Sequence, residues 1–234
     1  MTDAFQSKTA LIVGAGPGLG LSLGKAFTRA GMQVAFASRS PDRLRAPASE
    51  LGAEIFQCDV ADRRSIEALF DQVDQAIGTP DVVVFNPSPR VKGPLVALDP
   101  DVVHHSLSVS AFGAFIVAQQ AARRMLAIGR GAILFTGASA SVKGYPGSAP
   151  FAMGKFALRG LAQSVARELA PKGIHVAHFV IDGSIGASGG DAVKPAEDQM
   201  LDPDAIAATY LHVLLQPRSA WTWEVELRPW TETF

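Results

Sequence analysis

The sequence predicts an α/β fold in which a doubly wound parallel sheet of seven strands is flanked by helices, in a single domain over residues 1–234. Short runs of β-branched and aromatic residues alternate with longer segments of helical period along the whole chain. This alternation is typical of a parallel sheet whose strands are connected by helices on both faces. A glycine-rich turn follows the first run directly, and a chain of 234 residues is of a size that buries one core.

The strands are predicted from apolar runs bounded by turn residues. In chain order they cover residues 10–13, 33–37, 54–57, 81–85, 132–136, 175–180 and 222–227. Between them, apolar side chains recur at spacings of three and four residues, which predicts helices with one core-facing side. The clearest helical sets are Ile66, Leu69, Phe70, Val73 and Ile77, and then Phe151, Leu158, Leu161, Val165 and Leu169. Residues 184–200 show no clean period and are rich in small and polar residues, so we expect a mobile substrate loop there.

The composition argues against several classes of protein. Hydrophobic residues make up 48% and charged residues 18% of the chain, with a formal net charge of −1, so we expect neither disorder nor a nucleic-acid partner. The one cysteine, Cys58, has no partner for an internal disulfide, and the N-terminus lacks a secretory signal, which favours a cytoplasmic protein. No uninterrupted apolar stretch approaches the ~18 residues of a membrane span, so we expect no membrane association.

The turn after the first predicted strand is rich in glycine and leads into a helical pattern. Glycines allow a tight turn and a close approach of the backbone to a pyrophosphate, whose charge is stabilised by the amides at the helix N-terminus. The residues predicted to bind a dinucleotide are Gly14, Gly16, Pro17, Gly18, Leu19 and Gly20. A tight turn without a ligand is the alternative, which the position between a strand and a helix disfavours.

The second predicted strand ends in Ser38-Arg39, and no acidic residue lies within residues 31–41. An acid at this place would bind the ribose hydroxyls of NAD(H) and repel a 2′-phosphate, whereas a guanidinium binds that phosphate. Ser38 and Arg39 therefore favour NADP(H) over NAD(H), with a solvated surface arginine as the alternative. Asp59 and Val60 follow the third strand, where the carboxylate is expected either to contact the adenine or to cap the next helix.

With these features, the chain resembles the short-chain dehydrogenase/reductase family over nearly its whole length. The residues that match the family's glycine motif Gly-x-x-x-Gly-x-Gly are Gly14, Gly18 and Gly20. Asn86 matches the second asparagine of the family's Asn-Asn-Ala-Gly turn, although other residues occupy the remaining three positions. The resemblance implies a Rossmann-like domain that binds a nicotinamide dinucleotide. It also implies that Gly183 and Ile185, after the sixth strand, lie at the nicotinamide.

The family's catalytic Tyr-x-x-x-Lys motif is incomplete in this sequence. Lys155 matches the lysine, which in the family binds the nicotinamide ribose and lowers the pKa of the tyrosine, but Phe151 occupies the tyrosine position. Ala138 occupies the position of the family's serine, with Ser139 next to it, and Ser110 that of its asparagine. A phenyl ring carries no ionisable proton, so Phe151 cannot supply acid-base assistance, which is typically worth ~10²–10⁴ in rate. The resemblance therefore implies cofactor binding at Lys155 within an altered catalytic set.

Several side chains are candidates for the missing proton donor. Tyr145 lies in the loop between the fifth strand and the following helix, and Ser139 can hold a substrate oxygen, although serine is a poor acid without a base. The alternatives are an exposed loop residue for Tyr145 and a solvated helix residue for Lys155. We take Lys155, Ser139 and Tyr145 as the candidate catalytic residues. No residues have the spacing of a metal site, so no metal is predicted.

The sequence predicts an atypical NADP(H)-dependent oxidoreductase that transfers hydride between nicotinamide and a small, largely apolar carbonyl or alcohol. The alternative is a catalytically impaired NADP(H)-binding regulator, or an inactive partner subunit of an active relative, because fold alone does not establish function. Trp221, Trp223 and Trp230 lie in or beside the last predicted strand. Aromatic residues at a sheet edge fit the interface of a homodimer or homotetramer, and packing on the helix predicted over residues 203–215 is the alternative.

Overall fold

A computed structural model describes residues 7–186 and 199–232 of the chain. The strands are β1 (Thr9–Val13), β2 (Gln33–Ser38), β3 (Glu54–Gln57), β4 (Val82–Phe85), β5 (Gly131–Thr136), β6 (Ile174–Ile181) and β7 (Glu224–Leu227). They form one sheet in the order β3-β2-β1-β4-β5-β6-β7, and every neighbouring pair is parallel. The predicted fold class, a seven-stranded Rossmann-like domain, is confirmed. Most of the loop predicted over residues 184–200 lies outside the described residues.

Helices cover both faces of this sheet. Among the described residues the α-helices are α1 (Leu19–Arg29), α2 (Arg45–Leu51), α3 (Arg63–Ala76), α4 (Pro100–Leu107), α5 (Gly113–Ile128), α6 (Ala149–Leu169) and α7 (Pro203–Leu214). A π-helical segment, Ser108–Phe112, joins α4 to α5. Residues of α3, α5 and α6 belong to one core cluster, whereas those of α1, α2 and α7 belong to the other. The sheet therefore separates two apolar layers.

The side chains of β1 show how one strand serves both layers. Leu11 and Val13 belong to the cluster with α3, α5 and α6, whereas Ala10 and Ile12 belong to the cluster with α1, α2 and α7. A strand that is buried on both faces needs a continuous apolar run, which is the pattern that predicts it. The chain leaves β1 towards β2 and β3 and returns to the other side of β1 with β4. In parallel sheets, ligands bind at the carboxyl ends of the strands beside such a reversal.

Six of the seven strands differ from the prediction at one or both ends, and in β1, β2, β4 and β5 the difference is one residue. β6 extends one residue beyond the predicted 175–180 at each end, because Ile174 pairs with Gly131 of β5 and Ile181 pairs with Leu227 of β7. β7 begins at Glu224, later than predicted. The two residues before it lie outside the strand, and the backbone amide of Thr222 donates to the side chain of Gln216 at 2.8 Å.

The helical segment Pro100–Ile128 is, among the described residues, the one helix with the length and apolar composition of a membrane span. Its apolar side chains are used inside the domain, since Val109, Ala114 and Val117 are buried in the core cluster that includes α3 and α6. The sequence contains no long uninterrupted apolar run here, because Gly113 and polar residues divide the helix. Core packing accounts for part of its hydrophobicity, and other apolar side chains of the helix, among them Phe112 and Phe115, are exposed.

The C-terminal tryptophans have different surroundings. Trp221 stacks on His175 of β6, with ring centroids 4.6 Å apart, and its indole N–H donates to the Gln216 carbonyl at 3.2 Å. Trp230 is 81% exposed. Trp221 is therefore held by its own domain, whereas Trp230 contributes apolar surface.

Candidate functional site

The loop after β1 combines one constrained glycine with open space. Gly14 has a φ of +78°, and a Cβ on it would lie 2.6 Å from the ring of Pro87. Cβ atoms on Gly16 and Gly18 would have no atom of the described residues within 4 Å. Gly18 directly precedes α1, whose first turn has no acidic residue and no side-chain cap. The turn therefore has the steric and electrostatic form of a phosphate-binding loop.

A first cavity, of about 550 Å³, extends from this turn past the carboxyl ends of β2 and β3. Its wall contains the predicted Ser38, Arg39 and Val60, and it also contains Arg43. Arg43 lies in the short 3-10 helix Pro41–Leu44 and is missed by the sequence analysis. The signal that points to it is a second basic residue in the turn that follows β2. Two guanidinium groups in one wall suit a phosphate monoester.

Asp59 lies beside this cavity and stabilises a turn. Its carboxylate accepts the amide of Ala61 at 3.0 Å, and its own amide donates to the Ser65 hydroxyl at 3.0 Å. The N-cap of α3 is Asp62, whose carboxylate accepts the amide of Arg64 at 2.9 Å. The capping alternative for Asp59 is therefore wrong. Contact of Asp59 with adenine stays a prediction.

Asn86 connects the end of β4 to the glycine turn. Its side-chain amide donates to the Gly14 carbonyl at 3.0 Å, and its backbone amide donates to the Val13 carbonyl at 2.9 Å. The next residue, Pro87, packs on Gly14. These contacts hold the two loops together where the strand order reverses, and Asn86 lines the cavities on both sides of them.

A second cavity, of about 290 Å³, continues from the glycine turn to the carboxyl ends of β5 and β6. Its wall contains Ala138, Gly183 and Ile185, which the family resemblance places at the reacting end of the cofactor. Ala138 brings a methyl group to the position that the family resemblance predicts for the serine hydroxyl. Arg90 and Thr136 also line this cavity and are missed by the sequence analysis.

Lys155 of α6 is buried, with 1% of its surface exposed. Its ammonium donates to the Thr136 carbonyl at 2.8 Å and to the Pro87 carbonyl at 3.4 Å. Burial, followed by repulsion from the Arg90 guanidinium, lowers the pKa of this amine from 10.5 to about 7. The alternative of a solvated helix lysine is wrong. An amine with this pKa can hold and release a proton at neutral pH.

Phe151 precedes Lys155 by about one turn of α6 and is partly exposed. The guanidinium carbon of Arg90 lies 5.8 Å from the centroid of its ring. The position that the family resemblance predicts for the phenol thus carries an apolar ring with a cation beside it.

Ser110 lies in the π-helical segment, a distortion that is frequent at functional sites. Its buried hydroxyl donates to the Ser106 carbonyl within the same helix. It also packs against α6, because a Cβ on Gly154 would lie 2.3 Å from Ser110 Oγ. Ser110 therefore supports the helix that carries Lys155.

Ser139 and Tyr145 do not line the second cavity as the described residues define it. Ser139 is partly exposed at the start of a 3-10 turn. Tyr145 is 43% exposed, and the ammonium of Lys143 lies 5.7 Å from the centroid of its ring. Catalytic roles for Ser139 and Tyr145 stay predictions.

A buried hydrogen-bond chain supports the loop at Ala138. The hydroxyl oxygen of Ser141 accepts the Ala138 amide at 3.1 Å and lies 3.3 Å from His178 Nε2. His178 Nδ1 lies 3.0 Å from a carboxylate oxygen of Glu224. Arg159 holds that carboxylate through two hydrogen bonds, at 2.6 and 2.8 Å.

The protonation state of His178 determines which groups donate and which accept along this hydrogen-bond chain. Burial lowers the pKa of His178 to about 4, in spite of the opposing attraction of Glu224, so the imidazole is neutral at pH 7. Its single proton lies on Nδ1, facing the carboxylate, and Nε2 accepts the Ser141 hydroxyl. The order serine, histidine, glutamate is that of a hydrolytic triad, but Ser141 and His178 are each 0% exposed. This hydrogen-bond chain therefore holds the loop at Ala138 in place.

Replacing Ser141 with alanine is expected to lower the free energy of unfolding by about 1–3 kcal/mol, because two buried polar groups lose their partner. These groups are the Ala138 amide and His178 Nε2. Chemical denaturation followed by circular dichroism measures the loss. Ser139→Ala is the matched control, with an expected change within about 0.5 kcal/mol for a partly exposed position. Equal stability of the two variants would contradict this account.

A phosphate-binding turn, two cavities along the carboxyl edge of a parallel sheet and a buried lysine beside them define a dinucleotide-binding α/β protein. Residues 8–185 match the family model described as short chain dehydrogenase. The chain belongs to the short-chain dehydrogenase/reductase family, as the sequence motifs predict. Members of this family are oxidoreductases that bind nicotinamide dinucleotides.

Similarity to known proteins extends along most of the chain. L-2,3-butanediol dehydrogenase of Corynebacterium glutamicum is 28% identical over 188 residues, which cover 77% of this chain and 72% of that protein. The cyclic-di-GMP-binding biofilm dispersal mediator protein of Escherichia coli (strain K12) is 32% identical over 202 residues, 84% of this chain and 81% of that protein. An alcohol dehydrogenase from Thermococcus sibiricus, complexed with 5-hydroxy-NADP, superimposes with a TM-score of 0.86 at 27% identity, covering 97% of this chain and 99% of that chain.

Proposed function

We propose that this protein is an NADP(H)-dependent oxidoreductase that transfers hydride between nicotinamide and a small carbonyl or alcohol. The observation that carries the proposal is the buried ammonium of Lys155, held by Thr136 in the wall of the second cavity. NADP(H), when bound, supplies or accepts the hydride. The protein binds it, orients the substrate and manages the proton.

The residues present fit a dinucleotide. Open space at Gly16 and Gly18 leaves room for a pyrophosphate, and Arg39 and Arg43 in the first cavity suit a 2′-phosphate. The complex of the related alcohol dehydrogenase with an NADP analogue supports the same cofactor. The proposed cofactor-binding set is Gly14, Gly16, Pro17, Gly18, Leu19, Gly20, Ser38, Arg39, Arg43, Asp59, Val60, Asn86, Lys155, Gly183 and Ile185.

Lys155 is the proposed source of the proton. In the family the lysine acts through a tyrosine, and Phe151 removes that intermediary. An ammonium that is held by two carbonyl oxygens, with a pKa of about 7, keeps a proton on Nζ and can pass it to a substrate oxygen directly or through a water molecule.

Arg39→Ala and Arg43→Ala are each expected to weaken NADPH binding by about 10- to 100-fold, because each removes a charge-assisted contact to the 2′-phosphate. NADH binding should change little, since NADH lacks that phosphate. Fluorescence titration of both nucleotides measures the difference. Arg45→Ala is the control, because Arg45 is exposed and pairs with Asp42 at 2.9 Å. Equal losses for NADPH and NADH would show that the arginines do not read the phosphate.

The second candidate function is that of an NADP(H)-binding regulator or an inactive partner subunit. It is favoured by the replacement of two catalytic positions with Phe151 and Ala138. The name of the 32% identical relative also refers to ligand binding and to no reaction. The Phe151→Tyr variant separates the two candidates, because only a site that is otherwise assembled for catalysis would gain activity from the restored phenol.

We also propose that the protein forms a homodimer or homotetramer. The exposed rings of Phe112 and Phe115 lie 6.2 Å apart, and Trp230 adds a further exposed aromatic side chain. Exposed aromatic residues are enriched at subunit interfaces. The molecular mass in solution, measured by light scattering, tests this proposal.

A further inference from the structure

Arg90 lies at the reacting end of the site, and the family's catalytic motifs give it no role. It lies in the loop after β4, and its exposed side chain lines the second cavity together with Ala138 and Ile185. Its guanidinium carbon lies 5.8 Å from the centroid of the Phe151 ring. The cation therefore lies where the substrate would meet the position of the family's tyrosine.

Among the described residues, the surroundings of Arg90 carry no compensating negative charge. The described wall of the second cavity contains no aspartate or glutamate. The adjoining Asp182 is buried and already pairs with Lys143 at 3.3 Å and with Arg228 at 2.9 Å. No ion pair within residues 7–186 and 199–232 includes Arg90. With the ammonium of Lys155 behind Thr136, this end of the site favours an anion.

The contact between Arg90 and Phe151 is weaker than the bonds that a guanidinium forms with a carboxylate. An exposed cation over a phenyl ring gains little, whereas the planar fork of arginine matches two carboxylate oxygens. A carboxylate can therefore recruit Arg90 without breaking a strong interaction. The nicotinamide would share this cavity of about 290 Å³ with the substrate, which favours a small ligand.

We propose that Arg90 binds the carboxylate of a short oxo acid or hydroxy acid, whose carbonyl or alcohol group is the reacting centre. The inference rests on the proposed function and names its substrate class. The balanced reduction converts the oxo acid, NADPH and a proton into the hydroxy acid and NADP⁺. The proton is the one on Lys155 Nζ, which solvent then replaces. The sequence predicts a small, largely apolar substrate. The inference adds that this substrate carries a carboxylate.

Three oxo acids and their methyl esters test the substrate class, because each ester keeps the carbonyl and removes the charge. The acids are pyruvate, acetoacetate and levulinate, in which the distance between carbonyl and carboxylate increases stepwise. At least one acid is expected to exceed its ester in kcat/KM by about 10-fold or more. Arg90→Gln should remove most of this preference. Lys92→Gln, which removes an exposed charge from the same loop, should keep it.

Binding of butanoate gives a readout that does not depend on turnover. Calorimetry is expected to show that butanoate binds the complex with NADP⁺, that butanamide does not, and that Arg90→Gln loses butanoate. This result without turnover of any acid would support carboxylate binding by Arg90, and it would refute both the proposed function and the reacting centre that the inference names. Turnover of acids and esters alike, unchanged in Arg90→Gln, would overturn the inference and leave the function standing. If Arg90→Gln binds NADP⁺ 10-fold more weakly and still binds butanoate, Arg90 contacts the cofactor. That result would also overturn the inference.

Discussion

Lys155→Met is expected to lower the rate of carbonyl reduction by about 10²–10⁴-fold, because it removes the proton that we propose for transfer to the substrate oxygen. Methionine has a similar length and suits a buried position, so the packing of α6 should be kept. Single-turnover oxidation of NADPH at saturating cofactor measures the chemical step apart from cofactor binding. A variant that retains the wild-type rate would exclude Lys155 as the donor.

The pH dependence provides an independent check on Lys155. Since the pKa of the folded amine is about 7, the reduction rate should be full below pH 7 and fall as the pH rises above it. The free energy of unfolding should change with pH in the opposite direction to the reduction rate. Between about pH 7 and 10.5 the unfolded amine binds a proton that the folded amine has released, so the free energy of unfolding rises with pH. Lys155→Met should weaken both dependences.

Phe151→Tyr is expected to raise the reduction rate by about 10²–10⁴-fold, because it restores a phenol about one helical turn before Lys155. The buried ammonium would lower the pKa of that phenol, as opposite charge does for an acid. Steady-state kinetics with the oxo acids and their esters measures the gain.

Phe156→Tyr is the matched control for this variant. It adds the same hydroxyl to the same helix, at a side chain that is 46% exposed. We expect it to leave the rate unchanged. A gain with Phe151→Tyr alone would support a site that is otherwise assembled for catalysis. If NADPH binds and neither variant gains activity, the regulator or inactive partner becomes the better description.

The elements of the fold follow largely from local information. β3 begins and ends at the predicted residues, because turn signals bound its short run. The ends of β6 are different, since they depend on the lengths of β5 and β7 beside it. Pairing between strands is a tertiary property, and the apolar run of one strand does not predict it.

The residues of the candidate site likewise fall into those that local sequence predicts and those that only the fold brings together. Arg39 was predictable because it directly follows a strand whose carboxyl end must face the cofactor. Arg90 was not, because its approach to Phe151 depends on the path of a loop between β4 and α4. The contacts among Ser141, His178 and Glu224 likewise join three segments that are distant in the sequence.

The sequence by itself determined the doubly wound sheet, the glycine-rich turn after its first strand and the family, and it predicted the replacement of the family's tyrosine by Phe151. These features depend on periodicity, on the steric needs of glycine and on the identity of single residues, all of which are local. Only the tertiary structure decided that Lys155 is buried with a pKa of about 7 and that Arg90 lies beside Phe151. The physical reason is that desolvation and charge proximity arise from segments that meet only when the chain has folded.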